Sequence, residues 1–431
     1  FGRGLSFLSI SCSPKSTMKS TTIFALALLL VQESVAHTTT LQGRYVSVNI
    51  HGTDCTVSPD DNNPTSSIQK HLDDPKCGRV IVSGPSQHVI TAIQFTRNNT
   101  ELHLETGAIL QVSNDRDNWP GEEHVVSAKH LEHLAITGAG TVDGNGLVWW
   151  RNAKAFRPHL VDFSKVQHAL LSDTLYLNAP NHVLELYCDN CELSGVRVLS
   201  PPSTGDCEKD NTCSHNTDAV DVHGSPFFIH GVNFTTGDDN VAMHANDTIV
   251  EDSYFGTGHG ASIGSLCNDW LTNIIVRNVT FRGTTAGARI KSHPNCGGKV
   301  WNVTYQNLTM HDVAQAIVLT QFYFGDGPST YLFDNIRFEN IRVTASPSFR
   351  QSQKNVDGDD RAMVQFDCSD HYDGKANCRV VLDNVKFDGF AKQNGGAAQM
   401  TCTGTTGTAK NLQGINDCLH SYSLKDGTTY E

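Results

Sequence analysis

From about residue 95 onward the chain alternates short apolar stretches with clusters of Gly, Asp, Asn, Thr and Ser. One motif, a polar residue or glycine leading into alternating apolar positions, recurs as GVRV from Gly195, GVNF from Gly231, DSYF from Asp252, NVTF from Asn278, NLTM from Asn307, NIRV from Asn340 and NVKF from Asn384. Alternation with a period of two, bounded by turn formers, predicts a short strand at each. A second strand type falls between them: AVDV from Ala219, NVAMH from Asn240, GASIGS from Gly260, GARIKS from Gly287 and AIVLT from Ala316. Within the first set the intervals run from 21 residues (Gly231 to Asp252) to 44 residues (Asn340 to Asn384). A repeat of that length cannot bury its own apolar face and must stack on its neighbours, which predicts the coils of a parallel β-helix, with the longer intervals carrying loops. An antiparallel β-sandwich also uses many short strands. The ordered return of two strand types weighs against it, as does the scarcity of two-residue hairpin signals, VDGNG near Asp143 being the exception.

One helix is expected. PTSSIQKHLDD has Pro64 and Ser66 as start signals and Ile68 and Leu72 four apart, just before GRVIVSG, the first clear strand. A helix there caps the first coil, whose strand edges would otherwise be unpaired. No composition shift follows residue 40, so residues 37–431 read as one all-β domain. Upstream, Met18 opens a Lys, the apolar run IFALALLLV and the small residues Ser34 and Ala36, the pattern of a secretory signal over 18–36, with 1–17 as leader. The apolar run is shorter than the roughly 20 residues that span a bilayer, and no later segment supplies them, so no membrane attachment is expected.

Secretion agrees with the cysteines: setting Cys12 aside leaves an even 12 of the 13. Expected short-range pairs are Cys55 with Cys77, Cys207 with Cys213, Cys368 with Cys378, and Cys402 with Cys418. Cys188 and Cys191 in CDNC make a weak metal motif, because no second pair stands at zinc spacing. Sequons at Asn98, Asn233, Asn246, Asn278, Asn302 and Asn307 fit an extracellular protein. A net charge of −13 argues against nucleic acid and anionic membranes as partners. It does not argue against a carboxylated polysaccharide, whose recognition needs only local cations.

Stacked strands lie ~4.8 Å apart, so equivalent positions on successive coils form a ladder. Flanking the second strand type are Asn216 and Asp218 in SHNTDAVDV, Asp238 and Asp239 in GDDNVAM, His259 in GHGASIGS, and Arg289 and Lys291 in GARIKS. Asp218 and Asp239 are 21 residues apart, and Asp239 and His259 are 20 apart, each a single coil. The period of two turns Ile290 inward and both Arg289 and Lys291 outward, as a clamp for a substrate carboxylate. Crowded carboxylates raise one another's proton affinity, which keeps a proton available for a glycosidic oxygen while a second carboxylate activates water. Each motif alone reads as a solvated bend or strand face; their joint occurrence at coil spacing points to a catalytic groove.

In NTD (Asn216–Asp218), DD (Asp238, Asp239), GHG (Gly258–Gly260) and RIK (Arg289–Lys291), from about residue 45 to the end, the chain resembles family 28 glycoside hydrolases, the polygalacturonase group. The resemblance implies a single-stranded right-handed parallel β-helix and inverting hydrolysis of α-1,4-galacturonosidic bonds in homogalacturonan. It implies Asp238 as general acid, Asp218 and Asp239 as activators of the water, and His259 in support of the acid. Arg289 and Lys291 would bind the uronate carboxylate, with Asn216 lining the subsite and Tyr323 of TQFYFG matching a downstream tyrosine. Phe322 and Phe324 make that last segment read equally as a core strand. The chain departs from the pattern at Ala219, often Gly, and at Asn240, often a cysteine. The set favours homogalacturonan over rhamnogalacturonan, no metal or other cofactor is called for, and a secreted monomer acting on pectin is expected. Two rivals remain: a Ca²⁺-dependent β-helix pectate lyase with Arg289 as base, and a non-catalytic wall-binding β-helix.

Overall fold

The computed structural model describes residues 38–419 except 118, 122–123, 152–155, 348, 350–361, 370–375 and 390–397; the leader and secretory segment expected over 1–36 lie outside them. Residues Ala36–Glu431 form one compact unit. Apart from one hairpin at residues 38–51, its paired strands run parallel, each bonded to its equivalent one coil on, which makes a right-handed parallel β-helix.

Each coil feeds three sheets. The first contains Asp221–His223, Val241–Met243, Ala261–Leu266, Ala286–Ser292 and Gln315–Thr320, the second strand type of the sequence. The third contains Arg197–Leu199, Asn233–Thr235 and the ends of the long strands Thr248–Phe255, Trp270–Arg282, Gly297–His311, Thr330–Thr344 and Cys378–Asp388. Between them lies a middle sheet, with Phe227–His230 and the first parts of those long strands, which the apolar pattern did not separate. Its corner with the third sheet needs only one residue, in the left-handed conformation: Asp252, Asn278, Asn307, Asn340 and Asn384 have φ between 51° and 56°. Asparagine and aspartate tolerate that conformation as single residues. Their side chains bond up the corner as a ladder, Asn278 to Asp252 (3.1 Å), Asn307 to Asn278 (3.1 Å), Asn340 to Asn307 (3.1 Å) and Asn384 to Asn340 (2.8 Å). From Asp252 onward the Asp or Asn opening the motif is therefore a corner inside a continuous strand, whereas Gly195 and Gly231 stand between separate strands.

Inside the coil, equivalent apolar residues pile on one another: Met243, Ile263, Ile290 and Leu319 from the first sheet, and Phe234, Phe255 and Phe281 from the third, all fully buried. The expected helix spans Pro64–Asp73, with Asn63 accepting from Ser66 N at 3.3 Å, and buries Ile68 and Leu72 against the first coils. VDGNG makes no hairpin: strand Thr141–Asp143 leads, through Asn145 at φ 52°, into a short helix Gly146–Trp150 that buries two tryptophans. The hairpin at the N-terminal end, Thr38–Gln42 with Ser47–His51, lays Val46, Val48 and Ile50 on Ala135 and Leu170 of the middle sheet. Its turn seats on buried Glu192, which accepts from the backbone N–H groups of Arg44 (2.7 Å), Tyr45 (2.8 Å) and Val46 (2.7 Å) and from His230 Nε2 (2.8 Å). All four expected disulfides are bonded. Cys188–Cys191 and Cys267–Cys296 are two more, and the former leaves CDNC no thiolate for a metal.

Candidate active site

The chemistry gathers where each coil enters the first sheet. Leu160 N bonds His182 O, Val183 N bonds Asp218 O and Ala219 N bonds Asp239 O, each at 2.9 Å, and Asn240 N bonds Gly260 O at 3.1 Å. One corner position is thus held by His159, His182, Asp218, Asp239 and the residue after His259 on successive coils. The rung expected between Asp218 and Asp239 exists, while the next rung is Gly260 rather than His259; Asp218, Asp238, Asp239, His259, Arg289 and Lys291 come to one face.

Asp239, 1% exposed, is the hub. Its Oδ1 accepts from Ser262 Oγ (2.9 Å) and Arg289 Nη2, and its Oδ2 accepts from Lys291 Nζ (2.8 Å). Arg289 Nε also bonds Ser262 Oγ at 2.8 Å, so both cations are aimed by the carboxylate behind them. Lys291 Nζ lies 4.9 Å from the centre of the Tyr323 ring, which places Tyr323 at the site. The segment around it is no core strand: the strand ends at Thr320, and Phe324 is 85% exposed.

His259 Nδ1 and Asp238 Oδ1 share a hydrogen bond of 2.8 Å. Burial works to raise the Asp238 carboxyl, but that hydrogen bond and the charges of His259, Lys291 and Arg289 outweigh it and hold it at about 2. Asp218, 8% exposed, goes the other way: burial and the charges of Asp221 and Asp238 push it well above the carboxylate range, with His182 offsetting only part. The expected crowding effect is present, and it acts on Asp218 rather than Asp238.

Asn216, at φ 56°, presents its side chain from the loop, with Oδ1 held by Arg157 Nη2 at 2.9 Å. Arg157 also bonds the carbonyls of His215 (2.6 Å) and Pro180 (3.0 Å). Asn240, where the resemblance led one to look for cysteine, is fully buried and ties three segments: Nδ2 donates to Phe234 O and Thr257 O, both 3.1 Å, and Oδ1 accepts from Gly260 N at 2.8 Å. The glycines of GHG have steric reasons. A Cβ on Gly258 (φ 143°) would fall 2.6 Å from Asn240 Oδ1, and one on Gly260 (φ 82°) 2.2 Å from Ala286 O.

Several site neighbours escaped the sequence reading. His182 Nε2 stands 3.7 Å from Asp218 Oδ1, with Nδ1 2.7 Å from Glu185 Oε2 and 3.2 Å from Asp221 Oδ2. A 36-residue interval between His182 and Asp218, swollen by the loop after Leu199, hid that they share one corner. Asp221, three residues past Asp218 and outward by the period of two, was legible. His182, Asp218 and Asp221, and likewise Asp238, Asp239 and His259, place possible metal ligands within 4.8 Å. In the second group Asp239 is already paired with two cations and Asp238 is hydrogen-bonded to an imidazole, a donor set suited to protons rather than Ca²⁺.

The profile of glycosyl hydrolases family 28 matches residues 77–409. The chain belongs to that family. Among family 28 relatives, a probable polygalacturonase of Arabidopsis thaliana is 29% identical over 308 residues, 69% of this chain and 63% of that protein, so the chain spans less than two thirds of that relative. An endo-polygalacturonase of Pectobacterium carotovorum subsp. carotovorum is 28% identical over 364 residues, 74% of this chain and 87% of that one. The solved polygalacturonase from Erwinia carotovora ssp. carotovora superposes with a TM-score of 0.64 at 22% identity, covering 85% of this chain and 96% of that one, a likeness of fold.

Proposed function

We propose that this family 28 chain hydrolyses the α-1,4-galacturonosidic bonds of pectin homogalacturonan with inversion, outside the cell and as a monomer. The observation that carries the reading is the placement of the carboxyls: Asp238, hydrogen-bonded to His259, and Asp218, one rung from Asp239, on one face with Arg289 and Lys291. Water attacks the anomeric carbon as Asp218 takes its proton, and Asp238 delivers a proton to the leaving glycosidic oxygen. Asp239 sits beside Asp218 and aims the two cations at the uronate carboxylate. Tyr323 walls Lys291 and Asn216 lines the subsite.

After one turnover Asp218 holds a proton and Asp238 is ionised, which is the order of proton affinities in the free protein. Substrate has to reverse it. A uronate beside Arg289 and Lys291 draws their charge away from Asp238 and raises its carboxyl, so that Asp238 takes up a proton from solvent while Asp218 releases one to solvent. The two groups therefore titrate as a pair.

The test is incubation with polygalacturonate. Saturated reducing ends, of inverted configuration by NMR, are expected, and their formation should survive a chelator. Ultraviolet-absorbing products abolished by chelation would indicate a lyase, and binding without turnover a wall-binding protein. Asp238→Asn should lower turnover by about two to four orders of magnitude with the fold intact; an active purified variant would remove Asp238 from the acid role.

A further inference from the structure

The corner column runs from Asp239 through Asp218 and His182 to His159 on the earlier coils, and two residues ahead of each corner the chain carries Asn216, Pro180 and Arg157. Rungs lie ~4.8 Å apart, so the Arg157 backbone is two rungs, about 10 Å, from Asn216. The half-buried Arg157 side chain crosses that gap. Its Nη1 donates to Pro180 O (3.0 Å) and His215 O (2.6 Å), and its Nη2 donates to Asn216 Oδ1 (2.9 Å), which brings the guanidinium to the loop just ahead of Asp218. All three acceptors are neutral. Among the described residues no carboxylate pairs with Arg157, while burial and the charge of Arg116 both work against its charged form. The nearby carboxylates are turned to imidazoles instead: Glu185 to His182 (2.7 Å) and His223 (3.3 Å), and Asp221 to His182 (3.2 Å). On the other side of the carboxyl cluster, by contrast, Arg289 and Lys291 are both paired with Asp239. The groove thus holds a cation on each side of Asp218 and Asp238, and the one on the Asp218 side lacks its anion.

We propose that Arg157 binds the carboxylate of the galacturonate on the Asp218 side of the cleaved bond, as the counterpart of Arg289 and Lys291 on the other side. The inference rests on the galacturonan reading above. In homogalacturonan every unit carries a carboxyl, so a chain that spans the carboxyl cluster brings one to each side. A guanidinium has five N–H donors. His215 and Asn216, adjacent in sequence, draw on its two terminal nitrogens and Pro180 takes the second N–H of Nη1, which leaves Nε–H and one N–H of Nη2 along the side of the fork. That edge matches the two oxygens of a carboxylate. Because the side chain is already held by three bonds, little rotamer freedom is lost when the sugar arrives. The same contacts set Asn216: a guanidinium only donates, so Asn216 turns Oδ1 to it and keeps Nδ2 as the donor for a sugar hydroxyl. A methyl ester brings no charge to the fork, which makes Arg157 a point of selection for unesterified galacturonate.

Calorimetric titration of the inactive Asp238→Asn protein with oligogalacturonates reads the contact. Arg157→Gln in that background should weaken binding of the de-esterified oligomer about 10- to 100-fold and leave a fully methyl-esterified oligomer within about twofold. Arg157→Lys keeps the charge without the fork and should fall between the two. Equal weakening of both oligomers would make Arg157 a brace for the Asn216 loop and nothing more, and unchanged affinities would take it out of the groove; either result overturns the proposal. A crystal structure of Asp238→Asn with the de-esterified oligomer decides the matter with Arg157 untouched, whether or not its variants fold. A sugar carboxylate about 3 Å from Arg157 Nε or Nη2 is expected, and a bound chain whose carboxylates all point away from Arg157 refutes the assignment. Hydrolysis of polygalacturonate with Arg157 uninvolved sinks this inference alone, whereas an unmodified chain that neither binds nor hydrolyses polygalacturonate removes the galacturonan reading and the inference with it.

Discussion

Asp218 and Asp238 are the same side chain set to opposite protonation states by what surrounds them. One has lost water and faces three carboxylates; the other has lost water and gained an imidazole and two cations. The sign of the stability effect follows. A carboxyl whose affinity is raised in the folded state contributes nothing below the unfolded value of about 4 and destabilises as pH rises above it. Asp218→Asn should therefore raise the melting temperature at neutral pH, with the gain vanishing below about pH 4, while turnover falls by about two to four orders of magnitude. Melting curves against pH beside a reducing-sugar assay check both halves; a destabilised variant at pH 7 would mean that Asp218 is held by partners rather than strained by burial. The adjacent aspartates were visible in the sequence as an anomaly. Which of the three carboxyls holds the proton was not, because that depends on His182, Asp221 and His259 arriving from other coils.

At the scale of the element, short loops do what a covalent link might have done. Asn240 bonds the end of one third-sheet strand and both sides of the His259 loop, so Asp238 and His259 keep their distance through a buried amide. Asn240→Ala should cost on the order of 2–4 kcal/mol, since it leaves Gly260 N–H and two carbonyls without partners in a dry site. It should also lower kcat more than it raises KM, because the acid pair is loosened while Arg289 and Lys291 stay anchored; denaturant unfolding and steady-state kinetics measure the two effects. The period-two strands of the first and third sheets, the capping helix and the gathering of the polar residues could be read from alternation and coil-length spacing. The middle sheet could not, since a one-residue asparagine corner leaves no turn signature, and the N-terminal hairpin could not, since what fixes it is Glu192 from a strand almost 150 residues away.

For the whole molecule, that hairpin closes the side of the stack by electrostatics as much as by apolar contact. Burial opposes charge on Glu192, but His230 and the three backbone N–H groups prevail and hold its carboxyl below the usual range. Its contribution is present above the unfolded value of about 4 and is lost as pH falls through the lower folded value. Glu192→Gln should remove about 2 kcal/mol at neutral pH and expose the first strands to proteolysis, with little difference from the unmodified chain in strong acid. Limited proteolysis followed by mass spectrometry locates the cut; resistance equal to that of the unmodified protein would show that Val46, Val48 and Ile50 suffice.

The corner column also separates two jobs that many enzymes entangle. Because the proposed reacting groups are set by vertical registry between coils, the stretch of chain that leaves the third sheet and returns to the first can lengthen or shorten without displacing them, as the 36 residues from His182 to Asp218 and the 21 from Asp218 to Asp239 already illustrate. Those returning stretches are exchangeable parts: under the proposed function, grafting a longer one beside Asn216 would reshape the entrance of the cleft, and with it the choice between mid-chain and terminal attack, with the carboxyl cluster left where it was.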